Sequence, residues 1–199
     1  MSPTPPNALL LAGGRSRRMR RDKATLPYDG QTQLKRAAQL LDKFCSGVFL
    51  SIRQGQNVSA EHLDVPIIED AFGEIGPLGG ILSAFAYQPD HAWMVLACDL
   101  PFLGEDTLQH LLEERDTDKL ATAYRSAHDG LPEPLCAIYE PGAFKELHRF
   151  FEEEQKYCPR KILMLTEPKL LDPLDPRALD NVNTPEEYEN AIAELTAQA

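Results

Sequence analysis

The sequence predicts an α/β fold: one domain over residues 1–199, with a mainly parallel, doubly wound sheet. Three observations carry this. First, 43% of the 199 residues are hydrophobic and 26% charged, the composition of an ordinary globular chain long enough to bury a core. Second, short apolar runs at residues 8–12, 48–52 and 92–98 alternate with stretches of helical periodicity, the pattern from which parallel βαβ units are assembled. Third, the first run stops at Gly13-Gly14 and passes into Arg15, Arg17, Arg18, Arg20, Arg21 and Lys23. Paired glycines let a backbone turn and expose N–H groups, and ligands of doubly wound sheets bind beyond the carboxyl ends of the strands.

The basic loop sets the charge pattern. The chain carries −11 overall, from 20 Lys and Arg against 31 Asp and Glu. Residues 15–23 hold six cations and one aspartate, +5, which leaves −16 elsewhere. A basic island in an acidic protein suits a small anionic ligand rather than a nucleic-acid backbone. A merely solvated charged loop is the plainer reading of such a run. Neither the Gly-x-Gly-x-x-Gly of a dinucleotide fold nor a P-loop Gly-Lys-Ser/Thr follows the glycines.

Along the chain, Leu34, Ala37, Ala38, Leu41 and Phe44 predict a helix over 33–45, and Val48–Ile52 a buried second strand. Glu69-Asp70 leads to Gly76-Pro77-Leu78-Gly79-Gly80 and a helix over 81–87, whose small leading residues would let a ligand approach backbone N–H groups; a plain Gly/Pro loop is the alternative. The most continuous apolar run, 92–98, reads as a central strand ending in Asp99. Taken alone, Asp99 reads more readily as a cap for a helix beginning near Glu105 than as a metal ligand. Residues 120–124 and 134–139 predict two later strands with a turn at 127–130, and Pro141 opens a helix reaching to Tyr157. Near the end, Thr184 and Glu187 form a capping box around Pro185.

Cys45, Cys98, Cys136 and Cys158 are widely spaced and read as reduced thiols, and the five histidines show no zinc spacing. No apolar run reaches membrane-spanning length, and residues 1–6, expected to be flexible, lack the features of a signal peptide. A cytoplasmic protein with no nucleic-acid or membrane partner is expected.

Leu11-Ala12-Gly13-Gly14, Ser16, Arg18-Met19 and Asp22-Lys23, with the later segments Cys98-Asp99-Leu100-Pro101, Gly76 to Gly80 and Asn181-Val182-Asn183-Thr184-Pro185-Glu186-Glu187, resemble the molybdenum cofactor guanylyltransferase family of nucleotidyltransferases. Arg20 departs from it, standing where that family places glycine, and Ser51 stands near a frequent asparagine. The resemblance implies transfer of GMP from GTP to the terminal phosphate of molybdopterin, with release of pyrophosphate. It also implies roles. Leu11, Ala12, Gly13 and Gly14 would meet the nucleotide through their backbone, and Ser51, Asp70, Gly76, Pro77, Leu78 and Gly79 would lie on its guanine side. Arg18 and Lys23 would neutralise phosphates, Asp99 would hold Mg²⁺, Asn181 and Asn183 would receive the pterin, and Glu133-Pro134 would face the second substrate. Transient contact with other molybdenum cofactor proteins is implied as well. A pterin cytidylyltransferase, a sugar-phosphate nucleotidyltransferase, a nucleotide-binding regulator without turnover and an RNA-docking protein are the alternatives.

Overall fold

The computed structural model describes residues 3–12, 27–28, 31–56, 63–182 and 184–198. Nine strands and six helices are defined among them. β1 (Asn7–Leu11), β4 (Val48–Ile52) and β6 (Trp93–Ala97) are the three apolar runs and form the parallel centre of a seven-stranded sheet. β5 (Ile67–Glu69) continues it on one side. On the other, β8 (Pro132–Tyr139) pairs antiparallel with β6 and with β7 (Ala121–Arg125), and β9 (Lys169–Leu171) runs parallel to β7. The order β5-β4-β1-β6-β8-β7-β9 therefore has one reversed strand, β8.

Alternation along the strands explains the two cores. Ala8 and Leu10 of β1 and Met94 and Leu96 of β6 face one side, where α1 (Gln33–Asp42) and α3 (Glu105–Glu113) add Leu34, Leu41, Leu108 and Leu111. Leu9, Trp93 and Val95 face the other, against α2 (Pro77–Tyr87), α4 (Ala143–Glu152) and α5 (Pro159–Leu165). A strand buried on both faces must be apolar at every position, which is why these runs are continuous and not alternating. A two-stranded ribbon of β2 (Pro27–Tyr28) and β3 (Gln31–Thr32) precedes α1, whose N-cap Thr32 accepts from the Lys35 N–H at 3.2 Å.

Several boundaries differ from the sequence expectation for physical reasons. α1 stops at Asp42, leaving Phe44 packed against the core from a turn. α2 begins at Pro77, four residues early, because Gly76 supplies a positive φ of 72° and Pro77 occupies the first helical position. α4 ends at Glu152, not at Tyr157: Gln155 turns left-handed (φ 52°), and the Lys156 N–H reaches back to the Phe150 carbonyl at 3.0 Å, closing the helix. In α6 (Pro185–Gln198) the expected capping box is present, with Glu187 N–H donating to Thr184 Oγ1 at 3.2 Å and Thr184 N–H to Glu187 Oε2 at 3.1 Å. In the segment before β1, the carbonyls of Thr4, Pro5 and Pro6 accept from Arg115, the Ser46 hydroxyl and the Ser46 N–H. No helix among the described residues is long and apolar enough to cross a membrane.

Candidate active site

β1 connects outward to β4 and β5, and the chain then returns to place β6 on the other flank of β1. The carboxyl ends of β1 and β6 thus flank the topological switch point, where crossover connections leave in opposite directions and open a crevice. Register makes this concrete. Leu11 is paired with Ser51 on one side and with Ala97 on the other, and Asp99 follows two residues beyond Ala97. Ala12 donates its N–H to the Ser51 carbonyl at 3.1 Å, and its own carbonyl accepts from Gln56 Nε2 at 3.3 Å. The described chain therefore leaves the sheet after Ala12, on the strand flanked by the one that runs into Asp99. Gly13, Gly14, Arg18, Lys23 and Asn183 lie outside the described residues.

Asp99 is half-buried, and its carbonyl accepts the Val182 N–H at 3.1 Å. It does not cap α3, whose N-cap is Gly104. The turn after it is held from α1: Gln33 Nε2 donates to the Leu100 carbonyl at 3.1 Å and Arg36 Nη2 to that of Leu103 at 3.0 Å. From the C-terminal side, the Arg177 guanidinium lies 4.5 Å from the Phe102 ring centroid and pairs with Glu194 of α6 at 2.5 Å. Among the described residues no group of three or more His, Cys, Asp or Glu could cage a metal. A single carboxylate at an edge open to phosphates fits Mg²⁺, which takes one or two carboxylates and completes its shell with phosphate oxygens and water.

On the β5 side, the Asp70 N–H donates to the Ile52 carbonyl at 2.9 Å and Asp70 Oδ1 accepts the Phe72 N–H at 3.0 Å. Desolvation raises the Asp70 pKa, opposed by the Phe72 N–H and by Ser83. The glycines at the start of α2 also serve packing. A Cβ on Gly79 would lie 2.6 Å from Asp70 Oδ1, and one on Gly80 would meet Ser51 Oγ and come within 2.9 Å of Leu11 Cδ2. They let α2 seat against the ends of β1, β4 and β5. Gly79 also gives its N–H to the Gly76 carbonyl, and Leu78 is fully buried, so within this segment Gly76 and Pro77 are the exposed pair.

Beyond β6 the edge opens into a cleft of about 440 Å³, bounded by Pro77, Ala97, Leu100, Asn181 and the start of β8. Because β8 is reversed, its N-terminal residues Glu133 to Cys136 stand at the same edge as Asp99. Asn181 is exposed into this region between buried Ala178 and Val182. The far wall is Tyr157, Cys158, Pro159 and Arg160, leading into α5. Sequence reasoning missed this wall, together with Gln33, Arg36 and Gln56. Only Pro159, suited to a first helical turn, signalled it locally.

A doubly wound sheet with a carboxylate at its switch point places this chain among α/β proteins whose ligands bind at that point. The sequence profile of the MobA-like NTP transferase domain matches residues 8–170, and the chain belongs to that family. It is 36% identical over 191 residues to a molybdenum cofactor biosynthesis bifunctional protein of Synechocystis sp., covering 94% of this chain and 54% of the relative. The chain thus spans about half the length of that relative. A molybdenum cofactor guanylyltransferase of Shewanella amazonensis is 25% identical over 198 residues, covering 96% of this chain and 97% of the relative. The crystal structure of molybdopterin-guanine dinucleotide biosynthesis protein A from Archaeoglobus fulgidus superposes with a TM-score of 0.79 at 22% identity, covering 97% of this chain and all of that one, which establishes the shared fold.

Proposed function

We propose that the chain is a cytoplasmic molybdenum cofactor guanylyltransferase, moving GMP from GTP to the terminal phosphate of molybdopterin. A phosphate oxygen of the pterin substrate attacks the α-phosphorus of GTP, the bond from that phosphorus to the β-phosphate bridging oxygen breaks, and pyrophosphate leaves. The observation that supports this most is the register of Leu11 with Ser51 and Ala97, which brings the end of β1 beside the strand that runs into Asp99.

The substrate phosphate is already an oxyanion, so no side-chain nucleophile is required. Catalysis rests on alignment and charge neutralisation. In this reading the backbone of Leu11, Ala12, Gly13 and Gly14 cradles GTP, while Ser51, Asp70, Gly76 and Pro77 border guanine. Arg18 and Lys23 take up phosphate charge. Asp99 would hold Mg²⁺, which when bound offsets the charge of the triphosphate. Asn181 and Asn183 orient the pterin, and the clamp of Gln33, Arg36 and Arg177 fixes the Asp99 turn.

Pyrophosphate release from purified protein with molybdopterin, Mg²⁺ and either GTP or CTP tests the reading. Strong preference for GTP is expected. Equal use of CTP would sink the guanylyl assignment, and GTP binding without product would make the protein a nucleotide-binding regulator.

A further inference from the structure

As far as Ala12, β1 and β4 are joined by their own backbones, the last such bond running from the Ala12 N–H to the Ser51 carbonyl at 3.1 Å. The register of Leu11 with Ser51 puts the Arg53 N–H next in line for the Ala12 carbonyl. A side-chain amide stands in place of that bond. The Arg53 N–H donates to Gln56 Oε1 at 3.2 Å, and Gln56 Nε2 donates to the Ala12 carbonyl at 3.3 Å. Gln56 is brought back over the strand end by a turn that its own N–H closes on the Arg53 carbonyl at 3.0 Å, with Gly55 at φ 69°. The width of one amide thus separates β1 from β4 at the ligand-binding edge.

The same Gln56 oxygen accepts from Arg53 Nε at 3.3 Å, which fixes the guanidinium. Its two Nη groups bond to nothing among the described residues. Since β4 lies between β1 and β5, half-buried Arg53 ends its strand between Ala12 and Asp70, whose N–H donates to the neighbouring Ile52 carbonyl. Ser51, two residues earlier, is only 5% exposed, with its hydroxyl against Gly80. The side-chain N–H groups left at this strand end are therefore those of Arg53.

A guanidinium and a carboxylate at neighbouring strand ends match one base. Guanine presents two adjacent acceptors, N7 and O6, to the planar fork of an arginine, and donates N1–H and its 2-amino group to an acceptor on the other side. Adenine offers N7 beside an amino donor, which opposes the fork. We propose that Arg53 is a specificity residue that donates to guanine N7 and O6, and that Gln56 is the positioning residue that holds both Arg53 and the Ala12 carbonyl. This rests on the reading that GTP is the nucleotide substrate.

The test measures binding of GTP, 7-deaza-GTP (carbon in place of N7) and ATP to the full chain in the presence of Mg²⁺. Wild type is expected to bind GTP roughly tenfold more tightly than 7-deaza-GTP, the effect of losing one hydrogen bond from a charged donor. Arg53→Ala should abolish that difference and narrow the preference for GTP over ATP. Arg53→Lys, a point charge without the fork, should not restore it, and carries the test if the alanine variant fails to fold. Gln56→Leu should reduce the discrimination, whereas Gln56→Glu, which keeps the oxygen that holds Arg53, should retain it. A wild type that prefers GTP to CTP and forms product, yet binds 7-deaza-GTP as tightly as GTP, would overturn the assignment and leave the guanylyltransferase reading standing. Equal weakening of all three nucleotides by Arg53→Ala would place the guanidinium on the phosphates and overturn it as well. Discrimination against 7-deaza-GTP that depends on Arg53, in a protein that forms no product with molybdopterin, would support the assignment and overturn the guanylyltransferase reading.

Discussion

The two edges of this sheet solve opposite problems. At the N-terminal edge the buried polar groups are spent on the protein itself. Arg115 Nε and Nη2 clasp the Glu140 carboxylate at 2.6 and 2.8 Å, with both side chains only 7% exposed, while Arg115 Nη1 donates to the Thr4 carbonyl at 2.7 Å. Buried Asn7 donates to Gln88, whose carbonyl accepts from Trp93 Nε1 at 3.4 Å. The C-terminal edge satisfies its backbone through Ala12, Asp70 and Val182, yet keeps Asp70 and Asp99 only half-buried and Asn181 exposed. The contrast teaches that closing one edge frees the other to gather like charges where a ligand must sit.

The comparison breaks first at the closed edge. Arg115→Ala leaves Glu140 charged and buried without its partner, so about 3–5 kcal/mol of stability should be lost. Denaturant midpoints should show it, with turnover at low temperature intact. A loss of activity without a loss of stability would show that the two edges are not separable. At the open edge, Lys23→Ala should cut turnover by roughly 10²–10³, as for one preorganised electrostatic donor, with an unchanged melting temperature. Unchanged turnover would make Lys23 a solvated surface residue.

Gly80→Ala lies between the two. Its Cβ would crowd Ser51 Oγ and Leu11 Cδ2, so overpacking should cost about 1–3 kcal/mol and weaken GTP binding through displacement of the β1 and β4 ends. A stabilised variant with full affinity would show that α2 yields freely. The smallest effect is expected at Asp70. Its raised pKa means that the native state holds this proton more tightly than the unfolded chain, so Asp70 favours folding at acid pH and stability falls as pH rises from the unfolded value to the folded one. Asp70→Asn should therefore flatten that slope and leave the melting temperature at neutral pH unchanged or slightly higher, while GTP binding weakens. A lower melting temperature there would mean that the carboxylate stabilises the fold.

How much was legible in the sequence follows the same division. β1, β4 and β6 are continuous apolar runs because they are buried on both faces, and Asp99 stood at the end of the plainest of them. The Thr184–Glu187 box is local chemistry and was readable residue by residue. β5, β9 and α5 were not. β5 has only Ile68 buried among three residues, and α5 spans seven, too short for a periodic signal; both depend on neighbours remote in the chain. The packing work of Gly79 and Gly80 was hidden for a related reason. A glycine that admits a ligand and one that admits a neighbouring carboxylate look alike in sequence, and the close approach of Asp70 and Ser51 appears only on folding. The cleft wall at Tyr157 to Arg160 was hidden by helical periodicity that the left-handed turn at Gln155 interrupts.

On the proposed reading, Asp99 at the switch point would carry the metal for nucleotidyl transfer. Asp99→Asn preserves shape and removes the charge, so the measurement is Mg²⁺-dependent pyrophosphate release by this variant beside its GTP affinity and melting temperature. A folded protein that retains GTP binding and loses Mg²⁺-dependent turnover is expected. Full activity with an unchanged Mg²⁺ requirement would contradict it and assign the metal to another group.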